Sequence, residues 1–277
     1  MKNQKNKSFL KSLNIEAWFG LIILITMVLL GILVPLLSPY DPLKSAGETL
    51  LAPCKEYLFG TDHLGRDIFT RTFASTQLDL ILALIGVSAP LLIGTILGAV
   101  LGMTRNIFVS WIWMIIIDAI NAFPFLVLVI AIVAIVGPGV QGLLIGLAAV
   151  NWARYAKMVR TKTLTLRDSE FIQATNVLGY SRLRILFKHV LPNVYPVALA
   201  YGLSDFVLVI ITISGLSFLG AGVRPPTPEW GAMISEGRLY LQNQWWITVF
   251  PGLALSITAS GVALLANGIM RRIEGED

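Results

Sequence analysis

Few side chains in this sequence are of a type that could do chemistry, and their spacing excludes most of it. His63 stands between Asp62 and Asp67 in Gly-Thr-Asp-His-Leu-Gly-Arg-Asp at 60–67. Asp and Gly in that density are turn formers before they are metal ligands, and the second histidine, His189, lies far along the chain with no ligand spacing to the first. Ser217 falls in Gly-Leu-Ser-Phe-Leu-Gly, whose second glycine is one residue too late for a nucleophile elbow. Three acids sit in or beside long apolar runs. Asp79 reads as a residue at a helix start, where negative charge is favoured. Asp118, with Asn121 three residues on, reads as a buried polar partner for another helix. Asp205 lies near the middle of an apolar run, where an ionised carboxylate is costly unless it meets water or a partner. It is either a path residue that meets a cationic substrate or half of an interhelical hydrogen bond.

The elements that hold these residues are set by hydropathy. The chain has 277 residues, 56% of them hydrophobic and 13% charged, with a mean hydropathy of +0.76. A soluble domain of this size has no core able to bury so much apolar surface, so the class is a polytopic, all-α membrane protein. About 20 apolar residues cross a bilayer. The runs place spans at 17–37, 78–103, 109–136, 140–153, 194–219 and 245–269. Residues 1–16 are a basic lead; the apolar run after it is longer than a signal peptide's core, and Ser-Pro-Tyr-Asp-Pro follows it in place of a small-x-small site, which argues against a cleaved signal peptide. Residues 38–77 and 220–244 are polar loops, and 270–277 form a short tail. Gly94, Gly98 and Gly102 make two small-xxx-small steps, which let another helix approach closely.

Six spans put both termini on one side. Fifteen of the 21 basic residues then fall on that side, eight of them within 154–193. By the positive-inside rule that side is cytoplasmic, and Ser217 and His189 lie on opposite faces of the membrane. The net charge of +5 has no aromatic interleaving, so nucleic acid is not a partner. Cys54 is alone, so no intrachain disulfide forms.

The stretch from Asp168 to Pro192 is the long polar segment of the second half. It reads as two amphipathic helices. Phe171, Ala174, Thr175 and Leu178 share the first face, Asp168 caps it and Gly179 stops it. Ser181 is a second cap, and Leu183, Leu186, Phe187, Val190 and Leu191 line the second face until Pro192. An apolar helix face exposed in the cytosol calls for a protein partner.

Gln173-Ala174-Thr175, Gly179 and Leu191-Pro192 together resemble the Glu-Ala-Ala loop of ABC importer permeases, with Gln173 where Glu is usual and Thr175 where the second Ala is usual. The likeness continues through GTDHLGRD (60–67), NAFP (121–124), WARYAKMVR (152–160), GLSFLGAGV (215–223), PPTPEWGAM (225–233) and FPGLAL (250–255). In this order they look like the peptide/nickel branch, C-type subunit. The resemblance implies a type I ABC importer permease (MetI-like) fold: a span at 17–37, an extracytoplasmic loop at 38–77, a five-helix core at 78–269 and a coupling loop at 154–193. It implies a multi-pass protein of the bacterial cytoplasmic (inner) membrane carrying nickel, metal chelates or di- and oligopeptides. The implied partners are a second homologous permease, two cytosolic ATPases and an extracytoplasmic substrate-binding protein. This chain would bind no cofactor, ATP and Mg being held by the ATPases, and would have no catalytic residue and no metal.

Phe171, Gln173, Ala174, Thr175, Leu178, Gly179, Leu191 and Pro192 are then expected to couple to an ATPase. Asp118, Asn121 and Asp205 are expected on the translocation path. Asp62, Arg66, Asp67, Glu229 and Trp230 are expected at the binding-protein contact. Other classes need other features. An intramembrane enzyme needs a nucleophile and a base at one depth, and an ion-coupled secondary transporter needs inverted repeats and broken helices.

Overall fold

The computed structural model describes residues 14–274, and their regular structure is helical. The basic lead with Lys2, Lys5, Lys7 and Lys11, and the end of the 270–277 tail, lie outside the described residues. Ten α-helices follow in order: α1 (Ile15–Leu37), α2 (Ile68–Met103), α3 (Ile107–Ala122), α4 (Phe125–Val136), α5 (Val140–Arg167), α6 (Glu170–Val177), α7 (Arg182–Ile185), α8 (Leu191–Phe218), α9 (Trp230–Gly237) and α10 (Trp246–Glu274). Among the described residues, four continuous helical stretches are long and apolar enough to cross a membrane, at Ile15–Leu37, Ile68–Met103, Arg182–Phe218 and Trp246–Arg271. The α3–α4 pair makes a fifth if it is counted as one span.

That pair departs from the expected straight span at 109–136. Its axis bends by 96° at Phe123-Pro124. Proline lacks the N–H that would continue α3, and it drives the residue before it out of the helical region. Phe123 accordingly has φ −86° and ψ 147°. α5 also differs from its expected end at 153. Its helix continues through the basic segment to Arg167, 28 residues in all. Its charges keep it below the hydropathy of the other spans, although its length suffices and six spans remain compatible with the fold.

The chain divides into two units, Met1–Ala83 with Leu203–Asp277, and Leu84–Gly202. In the first, α1 packs along α10 and α9 lies beside α10. α2 begins at Ile68, ten residues before the expected span, because Asp67 caps it. The Asp67 carboxylate accepts the Thr70 N–H at 2.7 Å. Ile68, Met233, Trp246 and Ile247 form a core there, with Phe59 stacked on Phe250 at 3.9 Å between centroids.

In the second unit α5 packs against α3 and α4. The small-xxx-small reading holds for the second half of α2. A Cβ on Gly94 would come 2.5 Å from the Trp152 carbonyl, one on Gly98 2.5 Å from that of Ala156, and one on Gly102 2.5 Å from Thr163. The three glycines bring the backbones of α2 and α5 together, as small residues do where no hydrophobic effect drives helix pairing.

Candidate functional site

The strongest candidate is the segment between α5 and α8, which lies wholly in the second unit. Asp168 ends α5 rather than capping α6. The cap is Ser169, with extended backbone, and its carbonyl accepts the Gln173 N–H at 3.0 Å. α6 then runs for eight residues, too short to be stable in isolation. What holds it is Ile172, fully buried, and Thr175, 5% exposed. Ile172 enters a cluster with Ala99, Val159, Ile185, Val190 and Val194. Thr175 turns its hydroxyl back onto the Ile172 carbonyl at 2.7 Å, which lets its methyl face inward. So Thr175 belongs to the anchoring face and not, as the spacing suggested, to the exposed one.

The opposite face is apolar and open. Phe171 is 52% exposed, Leu178 67% and Val177 87%, with Ala174 exposed among them. Gln173 is exposed, and its side-chain amide donates to the Asp168 carbonyl at 3.1 Å. That bond needs a donor, which a glutamate in its place would lack.

Gly179 ends the helix at φ +73°. The Tyr180 N–H reaches back to the Thr175 carbonyl at 3.2 Å, and the Leu178 N–H to that of Ala174 at 3.0 Å. This left-handed stop satisfies carbonyls that would otherwise be orphaned. A Cβ at Gly179 would meet nothing within 4 Å, so the glycine is required by its φ and not by crowding. Ser181 caps α7, as expected, its hydroxyl accepting the Arg184 N–H at 3.3 Å. A single π turn follows at Leu186–Val190. Pro192, which has no N–H to give to a carbonyl four residues back, sits two residues beyond it. The Asn193 side chain donates to the His189 carbonyl at 2.6 Å. Leu191 packs partly buried on the cluster, and Pro192 is exposed.

Three residues here escaped the sequence reading. His189 lies edge-on to Phe171 at 5.5 Å and stacks with Tyr180 at 5.9 Å. Arg184 covers the Tyr180 ring at 4.1 Å. These contacts tie α6 to the turn that leads into α8. Ile172, between two residues of the apparent face, could have been found from the period of its neighbours. The ring contacts of His189 could not.

The expected path residues divide between the two units. Asp118 pairs with Lys157 at 2.8 Å, both side chains 53% exposed, and Asn121 is exposed one turn along α3. Asp205 belongs to the other unit, where it is 4% exposed and engaged in an interaction. Asp79 does not start a helix. It lies in the fourth turn of α2, where its carboxylate accepts the Trp230 N–H at 3.1 Å.

The five residues expected at a binding-protein contact are all interior, at 2% exposure or less. Asp62 folds the loop by accepting the Leu64 and Arg66 N–H groups at 2.8 and 3.0 Å, and it pairs with the Arg66 Nε at 2.6 Å. Arg66 reaches Glu236 at 3.0 Å, and Arg71 reaches it at 3.4 Å. Glu229 caps α9 through the Gly231 and Ala232 N–H groups at 3.0 and 2.7 Å, and Trp230 donates to the Thr72 carbonyl at 2.9 Å. Burial pushes the Asp67 and Glu229 carboxyls above the usual carboxylate range. The two loops are knitted together by these side chains, which present no surface to a partner in this conformation.

Comparison with known proteins adds a family to this geometry. Residues 92–275 match the model of the binding-protein-dependent transport system inner membrane component, and residues 14–53 match that of the N-terminal TM domain of oligopeptide transport permease C. The dipeptide transport system permease protein DppC of Alkalihalophilus pseudofirmus is 37% identical, over 90% of this chain and 82% of its own. The di/tripeptide transport system permease protein DppC of Pseudomonas aeruginosa is 33% identical, over 90% and 84%. The nickel transport system permease protein NikC of Escherichia coli is 34% identical, over 92% of both chains.

Proposed function

Since the chain belongs to the family of binding-protein-dependent transport system inner membrane components, we propose that it is one of two permease subunits of an ATP-driven importer of short peptides. The observation that carries this is α6. It offers an open apolar face of Phe171, Ala174, Val177 and Leu178, while Ile172 and Thr175 hold the helix in the core behind it. A face of that kind suits a groove on a cytosolic ATPase. When two ATPases close on ATP, each drags its docked helix. The rigid bond of α6 to the α5–α8 cluster passes that motion to the spans, and the path opens toward the binding protein. The chain supplies the lever and half of the path, and the partner supplies the energy.

Peptide cargo is favoured by the dipeptide and di/tripeptide relatives. Nickel or a nickel chelate is the second reading, favoured by the nickel relative, which matches over nearly its whole length. The test is uptake into vesicles holding the full assembly, with dipeptide, tripeptide and nickel each labelled in turn. Dipeptide uptake is expected, and it stops when the ATPase loses its phosphate-binding lysine. Uptake that persists in that variant would refute ATP drive. Uptake of nickel alone would reassign the cargo.

A further inference from the structure

We propose that the cleft between the start of α3 and the end of α5 is a binding site for the headgroup of an anionic phospholipid. This goes beyond the import reading and uses only the chain's place in a membrane. The cleft has a volume of about 580 Å³ and lies within the second unit, where Thr104–Asn106 turns the chain from α2 into α3. A short polar turn between two apolar helices marks a membrane surface. The basic residues around it make that surface the cytoplasmic one.

Three arginines line the cleft, Arg105, Arg160 and Arg167, against one acid, Asp168, which pairs with Arg167 at 3.3 Å. Arg167 also donates to the Gly102 and Thr104 carbonyls at 3.2 Å each, which fixes its guanidinium against the turn. Arg160 gives one nitrogen to the Ser110 hydroxyl at 2.8 Å, while its Nε is buried without a partner. Neither Arg105 nor Arg160 has an acidic partner within 4 Å among the described residues. The first turn of α3 opens into the same cleft, and a helix N-terminus adds partial positive charge there.

The other wall is apolar. Ile107 is 85% exposed, Trp111 61% and Phe108, beside them, 67%. A tryptophan at the membrane boundary next to a basic cleft fits a molecule with a phosphate at one end and acyl chains at the other. A soluble phosphate would use the arginines and leave this apolar wall bare. A lipid uses both.

The test employs the whole transporter, purified into nanodiscs of mixed phosphatidylcholine and phosphatidylglycerol, with retained lipids counted by native mass spectrometry. Wild type should retain phosphatidylglycerol in preference to phosphatidylcholine. Arg105→Gln and Arg160→Gln should each lower that preference about five-fold, while Arg224→Gln, in the other unit, should leave it unchanged. Inorganic phosphate should not displace the lipid. Equal retention of the two lipids by wild type overturns the proposal, and this arm stands even if a variant fails to assemble. Displacement by inorganic phosphate overturns the lipid as occupant. A photoreactive residue at Trp111 that captures a partner polypeptide in place of lipid overturns it too, by making the cleft a protein contact.

Discussion

Replacing Ile172 with Ala separates the two faces of α6. Ile172 is fully buried in the cluster that joins α5, α7 and α8. Cutting a buried isoleucine to alanine costs about 2–5 kcal/mol. An eight-residue helix has little stability of its own to set against that loss. The cost should therefore fall on the attachment of α6, with the rest of the unit retained. A loss of about 2 kcal/mol multiplies the open population about 30-fold. Amide exchange in 170–178, measured on the permease pair in nanodiscs before ATPase is added, should accelerate by at least that factor. After ATPase is added, stimulation of ATP hydrolysis by cargo-loaded binding protein should disappear, with basal hydrolysis unchanged. Phe171→Ala is the contrast. It trims the outer face, so exchange should stay slow while coupling weakens. If Ile172→Ala leaves both exchange and coupling as in wild type, the anchor-and-lever reasoning is wrong. Equal acceleration of exchange in both variants would refute the assignment of faces.

Other consequences follow from the same geometry. Gly179→Ala puts a side chain at φ +73° with no neighbour to meet it. It should cost about 1 kcal/mol in thermal unfolding, Gly179→Asn less, and Gly179→Pro should abolish coupling because proline is fixed near −65°. Arg66→Gln removes the closer cation from buried Asp62, leaving it Arg71 at 3.6 Å and its backbone donors, and weakens the hold on Glu236. It should destabilise the subunit by about 1–3 kcal/mol, seen as loss of assembled complex, with unchanged affinity for the binding protein in whatever complex survives. Asp67 carries a carboxyl raised by burial, so the folded chain keeps its proton at a pH where the unfolded chain has lost it. Its contribution to stability is therefore present below the ordinary carboxylate range and lost as pH rises through the raised value. Asp67→Asn, which keeps the cap, should flatten that part of the melting profile.

The membrane class, most spans and the glycine contact of α2 with α5 were legible because hydropathy and small-residue spacing act locally. The helical segment between α5 and α8 was legible for the same reason, down to the stop at Gly179 and the cap at Ser181. The misreadings have different causes. Thr175 faces inward because its hydroxyl is satisfied within the helix, which a hydrophobicity pattern cannot register. The bend at Pro124 was missed because residues 109–136 are apolar enough on average to read as one span. Asp62, Arg66, Asp67, Glu229 and Trp230 looked like surface residues because four of them are charged. Their burial rests on partners far away in the chain, such as Glu236 for Arg66 and Thr72 for Trp230. Tertiary pairing of that kind leaves no local period to read.

The central claim is that the outer face of α6 docks on an ATPase. It is tested most directly by placing a photoreactive phenylalanine analogue at position 178, where Leu178 is 67% exposed, and irradiating the assembled transporter. The account predicts a crosslink to the ATPase subunit, and none from the same analogue at buried position 172. Crosslinks from position 178 to lipid or to the permease alone would contradict it.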